Sequence, residues 1–234
     1  AIPIWFVTTA NWTEIAGGLD ATARAFAESS GFQPKPGRHL TLPGSGGALG
    51  AVLFGIESPD APRDAFLPGS LPGALPPGLY RFANAPHDAR LAALAFALGA
   101  YRFARYRKGE DRNVRLVVPN GVDGADLSRM AHAVALARDL VNTPANDMGP
   151  QELEDATRAL GKQHGANVIS IVGDDLLKNN FPLIHAVGRA SSRAPRLIDL
   201  TWSPPGGRPN APRVALVGKG ICFDTGGLDI KPAR

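Results

Sequence analysis

The stretch that decides how this chain is interpreted is residues 214–234, which read VALVGKGICFDTGGLDIKPAR. An apolar run over residues 213–217 predicts a buried β-strand. A glycine-rich turn follows the predicted strand directly and carries three charged residues, Lys219, Asp224 and Lys231. In open α/β sheets ligands gather at the carboxyl ends of strands, so we expect a functional site in this turn.

Each charged residue of the turn has an ordinary structural explanation when it is taken alone. A lysine at a strand end or before a proline is usually solvated, and an aspartate before Thr-Gly-Gly usually stabilises a turn. Asp229 is interpreted in this way, as a turn residue. A strand end with several glycines around two lysines and an aspartate is nevertheless unusual for a purely structural loop, because glycines permit close backbone approach. Those glycines are Gly218, Gly220, Gly226 and Gly227.

Other common site patterns do not fit the sequence. A P-loop needs a glycine and a hydroxyl residue where this chain has Arg213 and Gly220. The chain contains no G-x-G-x-x-G, H-E-x-x-H or G-x-S-x-G pattern, and its five histidines lack metal-ligand spacing. Its one cysteine, Cys222, excludes an internal disulfide and fits a reducing compartment. We expect Cys222 to be a buried and inert thiol.

The composition predicts a folded, soluble protein. The 234 residues are 44% hydrophobic, which suffices for one large domain or two modest ones. The most apolar stretch, residues 91–101, is too short to span a membrane, and the N-terminus lacks the basic region of a signal peptide. We therefore expect a cytoplasmic protein with no membrane partner.

The net charge of +4 is slight, and 19 of the 25 basic residues are arginines scattered along the chain. Scattered charge of this kind is typical of a solvated surface and only weakly indicates nucleic-acid binding.

The order of predicted elements indicates two α/β units joined by a helix. In the first unit, residues 1–125, helices are predicted over 20–30 and 88–108, and strands over 48–56, 78–83 and 113–119. A connecting helix occupies residues 126–142 and ends where Pro144 disfavours helical angles in the preceding residue. In the second unit, residues 143–234, helices are predicted over 150–164 and 174–179, a turn over 183–188, and strands over 167–172, 196–202 and 213–217.

Residues 217–232 resemble the first active-site signature of the leucyl aminopeptidase family, V-G-K-G-[IV]-x-F-D-[ST]-G-G-[IL]-x-I-K-P. Residues 139–150, which read DLVNTPANDMGP, resemble the beginning of that family's catalytic domain. Thr225 and Asp229 stand where serine is commoner, and both leave the proposed ligands intact. The resemblance covers essentially the whole chain but about half of a full family member.

The resemblance implies an α/β fold, with an amino-terminal macro-like domain followed by the start of a metallopeptidase catalytic domain with a central mixed sheet. It also implies two divalent metal ions, zinc or manganese, and a bicarbonate in the full-length protein. The implied substrates are peptides with a free N-terminus and preferably a leucine-like first residue, and the implied assembly is a homohexamer.

The same resemblance assigns a role to each charged residue of the turn. Lys219 would bind one metal through a neutral amine, and Asp224 would bridge both metals. Lys231 would be the catalytic residue that faces the substrate carbonyl and stabilises the charge that develops on it. Two metals that share a carboxylate can activate a water and polarise the scissile carbonyl.

The remaining ligands of the family's site do not occur in this sequence, so we expect the chain alone to be inactive. Two alternatives stay open. One is a DNA-binding or regulatory protein on the same fold, and the other is a scaffolding subunit with a dead site. The presence of Lys219, Asp224 and Lys231 together argues against the dead site.

Overall fold

The computed structural model describes residues 1–107, 112–207 and 211–222. It divides into two compact units, residues 1–139 and residues 140–234. Within the described ranges no helix has the length and apolar character needed to cross a membrane.

The first unit is built on a mixed sheet of five strands in the order β2-β3-β1-β4-β5. Strands β1, β3, β4 and β5 run parallel, and β2 pairs antiparallel with β3. The strands are β1 (Ile2–Val7), β2 (His39–Pro43), β3 (Leu49–Gly55), β4 (Gly78–Phe82) and β5 (Val114–Leu116). The helices are α1 (Trp12–Gly18), α2 (Ala21–Ser29), α3 (Leu71–Ala74), α4 (Ala89–Gly99) and α5 (Gly124–Asn142), with short 3₁₀ helices at Ser45–Gly47 and Leu67–Ser70.

The central strands of this sheet are buried on both faces. In β3, Val52 and Phe54 belong to one hydrophobic cluster, whereas Leu53 belongs to the other. Successive side chains of a strand point to opposite faces, so an unbroken apolar run is what a strand covered on both sides requires. The predicted strand over 48–56 is confirmed for this reason, as is the strand predicted over 78–83.

Two asparagines fix the carboxyl end of β1. The side chain of Asn84 accepts a hydrogen bond from the Phe6 N–H and donates one to the Phe6 carbonyl, each at 2.8 Å. Asn11 donates a second bond to the same carbonyl at 3.2 Å. Because β1 and β4 pair only as far as Ile4 and Phe82, the Asn84 amide takes the place of the next ladder peptide.

The helix predicted over 20–30 is confirmed, and Asp20 caps it by accepting bonds from the Thr22 and Ala23 N–H groups. The helix predicted over 88–108 is wrong beyond Gly99, where α4 ends. A Cβ at Gly99 would lie 1.9 Å from the Gly69 carbonyl oxygen, so the chain meets a neighbouring turn there. Arg102 then donates to the Gly99 carbonyl at 3.0 Å, which satisfies a group that a longer helix would have bonded itself.

Other differences in the first unit concern strands and short helices. Strands β1 and β2 and the short helices α1 and α3 were not predicted, and β5 is shorter than the predicted strand over 113–119. The helix within the predicted connecting segment is confirmed as α5.

The second unit contains α6 (Pro150–His164), β6 (Asn167–Val172), α7 (Asp175–Lys178), α8 (Pro182–Gly188) and β7 (Arg196–Thr201). Strands β6 and β7 pair antiparallel, with Asn167 opposite Thr201 and Val172 opposite Arg196. The predicted helix over 150–164 and the predicted strands over 167–172 and 196–202 are confirmed, as is the short helix over 174–179.

Two predictions for the second unit are wrong. The turn predicted over 183–188 is helix α8, which begins at Pro182, a residue well suited to the first helical position. The strand predicted over 213–217 is not formed. No described strand pairs with these residues, and Val217 is 97% exposed. An apolar, β-branched run needs a ladder partner before it becomes a strand.

Candidate active site

A cavity of about 810 Å³, widely open to solvent, lies within the second unit. Its wall is formed by the first turns of α6, by α8, by the start of β7 and by residues 217–222. Lys219, the first proposed metal ligand, lies in this wall. The wall includes the side chains of Leu153, Arg193, Arg196, Lys219 and Cys222.

Residues 217–222 approach the rest of the unit only at their end. Val217 is 97% exposed and Lys219 is also exposed, whereas Ile221 is 54% exposed and Cys222 is half-buried. Gly220 lies against α6, where a Cβ added to it would be 2.7 Å from Leu153 Cδ2. The predicted close approach at a glycine is therefore confirmed at Gly220, while Gly218 has open space around it.

Asp224 and Lys231 lie outside the described residues, so their roles and their distance from Lys219 stay predictions. Within the ranges that the structure describes, no group of three or more His, Cys, Asp or Glu side chains could hold a metal ion. Lys219 is the one proposed ligand in those ranges. The described residues therefore do not make a metal site by themselves.

The loop that leads into α6 is held by Arg193, a residue for which the sequence predicted no role. Its guanidinium donates to the carbonyl of Ala145 at 2.9 Å and to that of Asn146 at 2.5 Å. It also lies 3.8 Å from the Glu152 carboxylate. These contacts tie residues 145–149 to the loop before β7.

Glu152 closes the same turn from the other side. Its carboxylate accepts the Gly149 N–H at 2.9 Å, as a residue at the third helical position often does. Hydrogen bonds from its own backbone N–H and from the Gly149 N–H hold the pKa of the Glu152 carboxyl below its usual value. The turn that carries Leu153 is thus held by a charged residue on each side.

A buried carboxylate joins α6 to both strands of the unit. Glu154 is 5% exposed and accepts hydrogen bonds from Ser170 at 2.6 Å, Arg158 at 2.7 Å and Arg196 at 2.5 Å. The Ser170 bond first, and then the bonds from Arg196 and Arg158, lower the pKa of Glu154 from 4.5 to about 2. Glu154 therefore carries a negative charge that balances Arg196 at the cavity wall.

Cys222 was predicted to be a buried thiol, and it is half-buried in the cavity wall. Burial raises the pKa of this thiol, with the charge of Glu152 as a second cause. A thiol with a raised pKa holds little thiolate near neutral pH, so Cys222 is a poor nucleophile.

Both parts of the chain match families of known proteins. Residues 2–119 match the family model of the M17 aminopeptidase N-terminal domain, and residues 135–234 match that of the cytosol aminopeptidase family catalytic domain. A probable cytosol aminopeptidase of Rhodococcus opacus (strain B4) is 43% identical over 161 residues, covering 62% of this chain and 32% of that protein. A probable cytosol aminopeptidase of Streptomyces griseus is 34% identical over 188 residues, covering 70% of this chain and 36% of that protein.

Solved structures agree with these sequence matches. The cytosol aminopeptidase of Coxiella burnetii is 39% identical with a TM-score of 0.86, covering 99% of this chain and 50% of that chain. The bottromycin maturation enzyme BotP in complex with Mn is 26% identical with a TM-score of 0.69, covering 87% of this chain and 45% of that chain. The chain thus spans between about a third and a half of the length of these relatives. It belongs to the cytosol aminopeptidase family, the M17 aminopeptidases, and comprises the family's N-terminal domain followed by the start of its catalytic domain.

Proposed function

We propose that this chain is part of a metal-dependent aminopeptidase that releases N-terminal amino acids, with leucine-like residues preferred, from peptides. The observation that carries the proposal is the match of residues 135–234 to the family's catalytic domain, because this match contains Lys219, Asp224 and Lys231 in one motif. The position of Lys219 in the wall of a cavity large enough for a peptide end supports it.

Lys219 and Asp224 are the proposed metal ligands, and Lys231 is the proposed catalytic residue. Two divalent cations, zinc or manganese, are proposed as cofactors, together with a bicarbonate in the full-length protein. The complex of the related BotP with Mn supports a divalent cation. Such a metal pair, when bound, supplies an activated water and polarises the scissile carbonyl.

The chain's own residues contribute charge and position. Lys219 must present a neutral amine in order to bind a cation, whereas Lys231 must keep its proton to stabilise an oxyanion. These opposite requirements on two lysines twelve positions apart in the sequence distinguish the proposed roles, and each can be tested by substitution.

We further propose a cytoplasmic homohexamer that acts on peptides with a free N-terminus. The cytosolic location is supported by the names of the relatives. The comparisons name aminopeptidases and give no support to the DNA-binding alternative.

The test is the metal-dependent cleavage of leucine p-nitroanilide by the full-length protein. We expect Lys219→Ala and Asp224→Ala each to lower kcat/KM by about 100-fold or more and to weaken Mn²⁺ binding in calorimetry. The matched control is Lys178→Ala, because Lys178 is an exposed lysine of the same unit that pairs with Asp175. Cleavage that survives chelation of divalent metal, or that both substitutions leave unchanged, would contradict the proposal.

A further inference from the structure

The segment 217–222 is held against the second unit by a small contact. A Cβ at Gly220 would lie 2.7 Å from Leu153 Cδ2. The exposed fraction of the side chain falls from 97% at Val217 to 54% at Ile221. Val214 and Leu216, which precede the contact, are almost fully exposed. In the described part of the segment, the position of Lys219 therefore depends on the contact that the next residue, Gly220, makes with Leu153.

The partner of Gly220 is a residue of α6 whose two neighbours in the sequence both make hydrogen bonds. Leu153 lies between Glu152, which bonds the Gly149 N–H, and Glu154, which bonds Arg196 and Ser170. Arg193 packs so closely on Gly149 that a Cβ there would lie 2.4 Å from its Nη1 atom. Glu154 thus joins α6 to both strands, and Arg193 joins the residues before α6 to the loop before β7. Leu153 lies between these two sets of contacts.

We propose that Leu153 is a positioning residue, which holds the backbone at Gly220 against α6 and so fixes Lys219 in the cavity wall. The proposal rests on the proposed function only in that Lys219 is taken as a metal ligand. A side chain at residue 220 would have to displace the Leu153 Cδ2 methyl group, because a Cβ there would lie 2.7 Å from it. Gly220 and Leu153 form one contact, which a substitution at either residue can disrupt.

The single thiol of the chain, Cys222, reports on this contact. It lies two residues beyond Gly220 and is half-buried in the same wall. If Leu153 holds Gly220 in place, Leu153→Ala exposes Cys222. We then expect labelling by a thiol reagent at one fixed pH to become about tenfold faster, because a tenfold increase corresponds to a free energy of local opening that is lower by ~1.4 kcal/mol. Leu153→Met, which refills the contact, restores the slow rate.

The matched control is Leu176→Ala. Leu176 is a fully buried leucine of the same unit that does not line the cavity. Its truncation lowers the stability of the unit, measured by Trp202 fluorescence, without exposing Cys222 under native conditions. Gly220→Val tests the contact from the other side and leaves α6 intact, so it keeps the test valid if Leu153→Ala fails to fold.

Faster labelling in Leu153→Ala and Gly220→Val, with a wild-type rate in Leu153→Met and Leu176→Ala, supports the proposal. A wild-type rate in Gly220→Val, or an equal increase in Leu176→Ala, overturns it. Neither result depends on metal binding or catalysis, so the failure of this inference and the failure of the proposed aminopeptidase activity are distinguishable.

Discussion

The two units of the chain bury different kinds of side chain. In the first unit, Ile4, Phe6, Val52 and Phe54 are fully buried between helices and a five-stranded sheet. In the second unit the buried centre includes the carboxylate of Glu154, while the aliphatic side chains of Leu183 and Val187 are 80% and 82% exposed. The first unit is centred on apolar packing, whereas the second unit has a charged cluster at its buried centre.

The largest expected effect is on the apolar core of the first unit. Phe54→Ala removes a fully buried ring that packs edge-on against Phe6, and we expect the free energy of unfolding of this unit to fall by about 3–5 kcal/mol. The measurement is urea unfolding followed by Trp5 and Trp12 fluorescence in a Trp202→Phe background. Phe66→Ala is the control, since the Phe66 ring is 49% exposed, and it should cost far less. Equal losses in the two variants would contradict a core centred on β3.

A somewhat smaller effect is expected from the charged cluster of the second unit. Glu154→Gln keeps the shape of the side chain but leaves Arg196, which is also buried, without its counter-charge. Breaking a buried pair in this way costs about 3 kcal/mol, which Trp202 fluorescence would report during urea unfolding in a Trp5→Phe, Trp12→Phe background.

The control for Glu154→Gln is Glu28→Gln, which breaks an exposed pair with Arg24 four residues away. Such surface pairs contribute about 0.5 kcal/mol or less. If Glu154→Gln proved as harmless as Glu28→Gln, the difference between the two units would lie elsewhere than in this cluster.

The smallest of the three effects is the pH dependence of the second unit. The pKa of Glu154 falls from 4.5 to about 2 on folding, so its contribution is fully present above about pH 5. The contribution is lost as the pH falls through the folded pKa, and we expect the second unit to lose about 2.5–3 kcal/mol by pH 2. Urea unfolding at a series of pH values, followed by Trp202, measures this loss, and Glu154→Gln should flatten the curve. A curve of equal slope in the variant would show that other carboxylates dominate.

The elements that the sequence predicted well carry their own start and stop signals. Helix α6 begins with Pro150, has Glu152 in its first turn and Lys162 in its last, and stops at Gly165, which adopts a φ of 67°. Each of these signals is local, and so the bounds could be predicted from neighbouring residues alone.

The errors occurred where a distant residue decides the outcome. The end of α4 depends on contact with Gly69, thirty positions earlier, and β2 forms in a Gly- and Pro-rich stretch because it can pair with β3. Residues 213–217 have a strand-like composition, but no described strand lies beside them. Pairing between distant segments leaves no local pattern.

The candidate site shows the same limit more sharply. Lys219 was found through the spacing of a motif, and that motif also assigns Asp224 and Lys231, which lie outside the described residues. Arg193 contacts Ala145, 48 positions earlier, and nothing in the sequence around either residue predicts the contact. Motifs identify the residues that perform chemistry, whereas the residues that hold them in place become visible only in three dimensions.

The pair of hydrogen bonds between Asn84 and Phe6 makes the first unit sensitive to chemical ageing. Slow loss of the Asn84 amide nitrogen would convert the residue to aspartate and replace the donor by a carboxylate oxygen. That oxygen would face the Phe6 carbonyl oxygen at 2.8 Å, and two acceptors repel at this distance. Deamidation at this one asparagine would therefore separate the ends of two neighbouring strands while leaving every apolar side chain of the core unchanged.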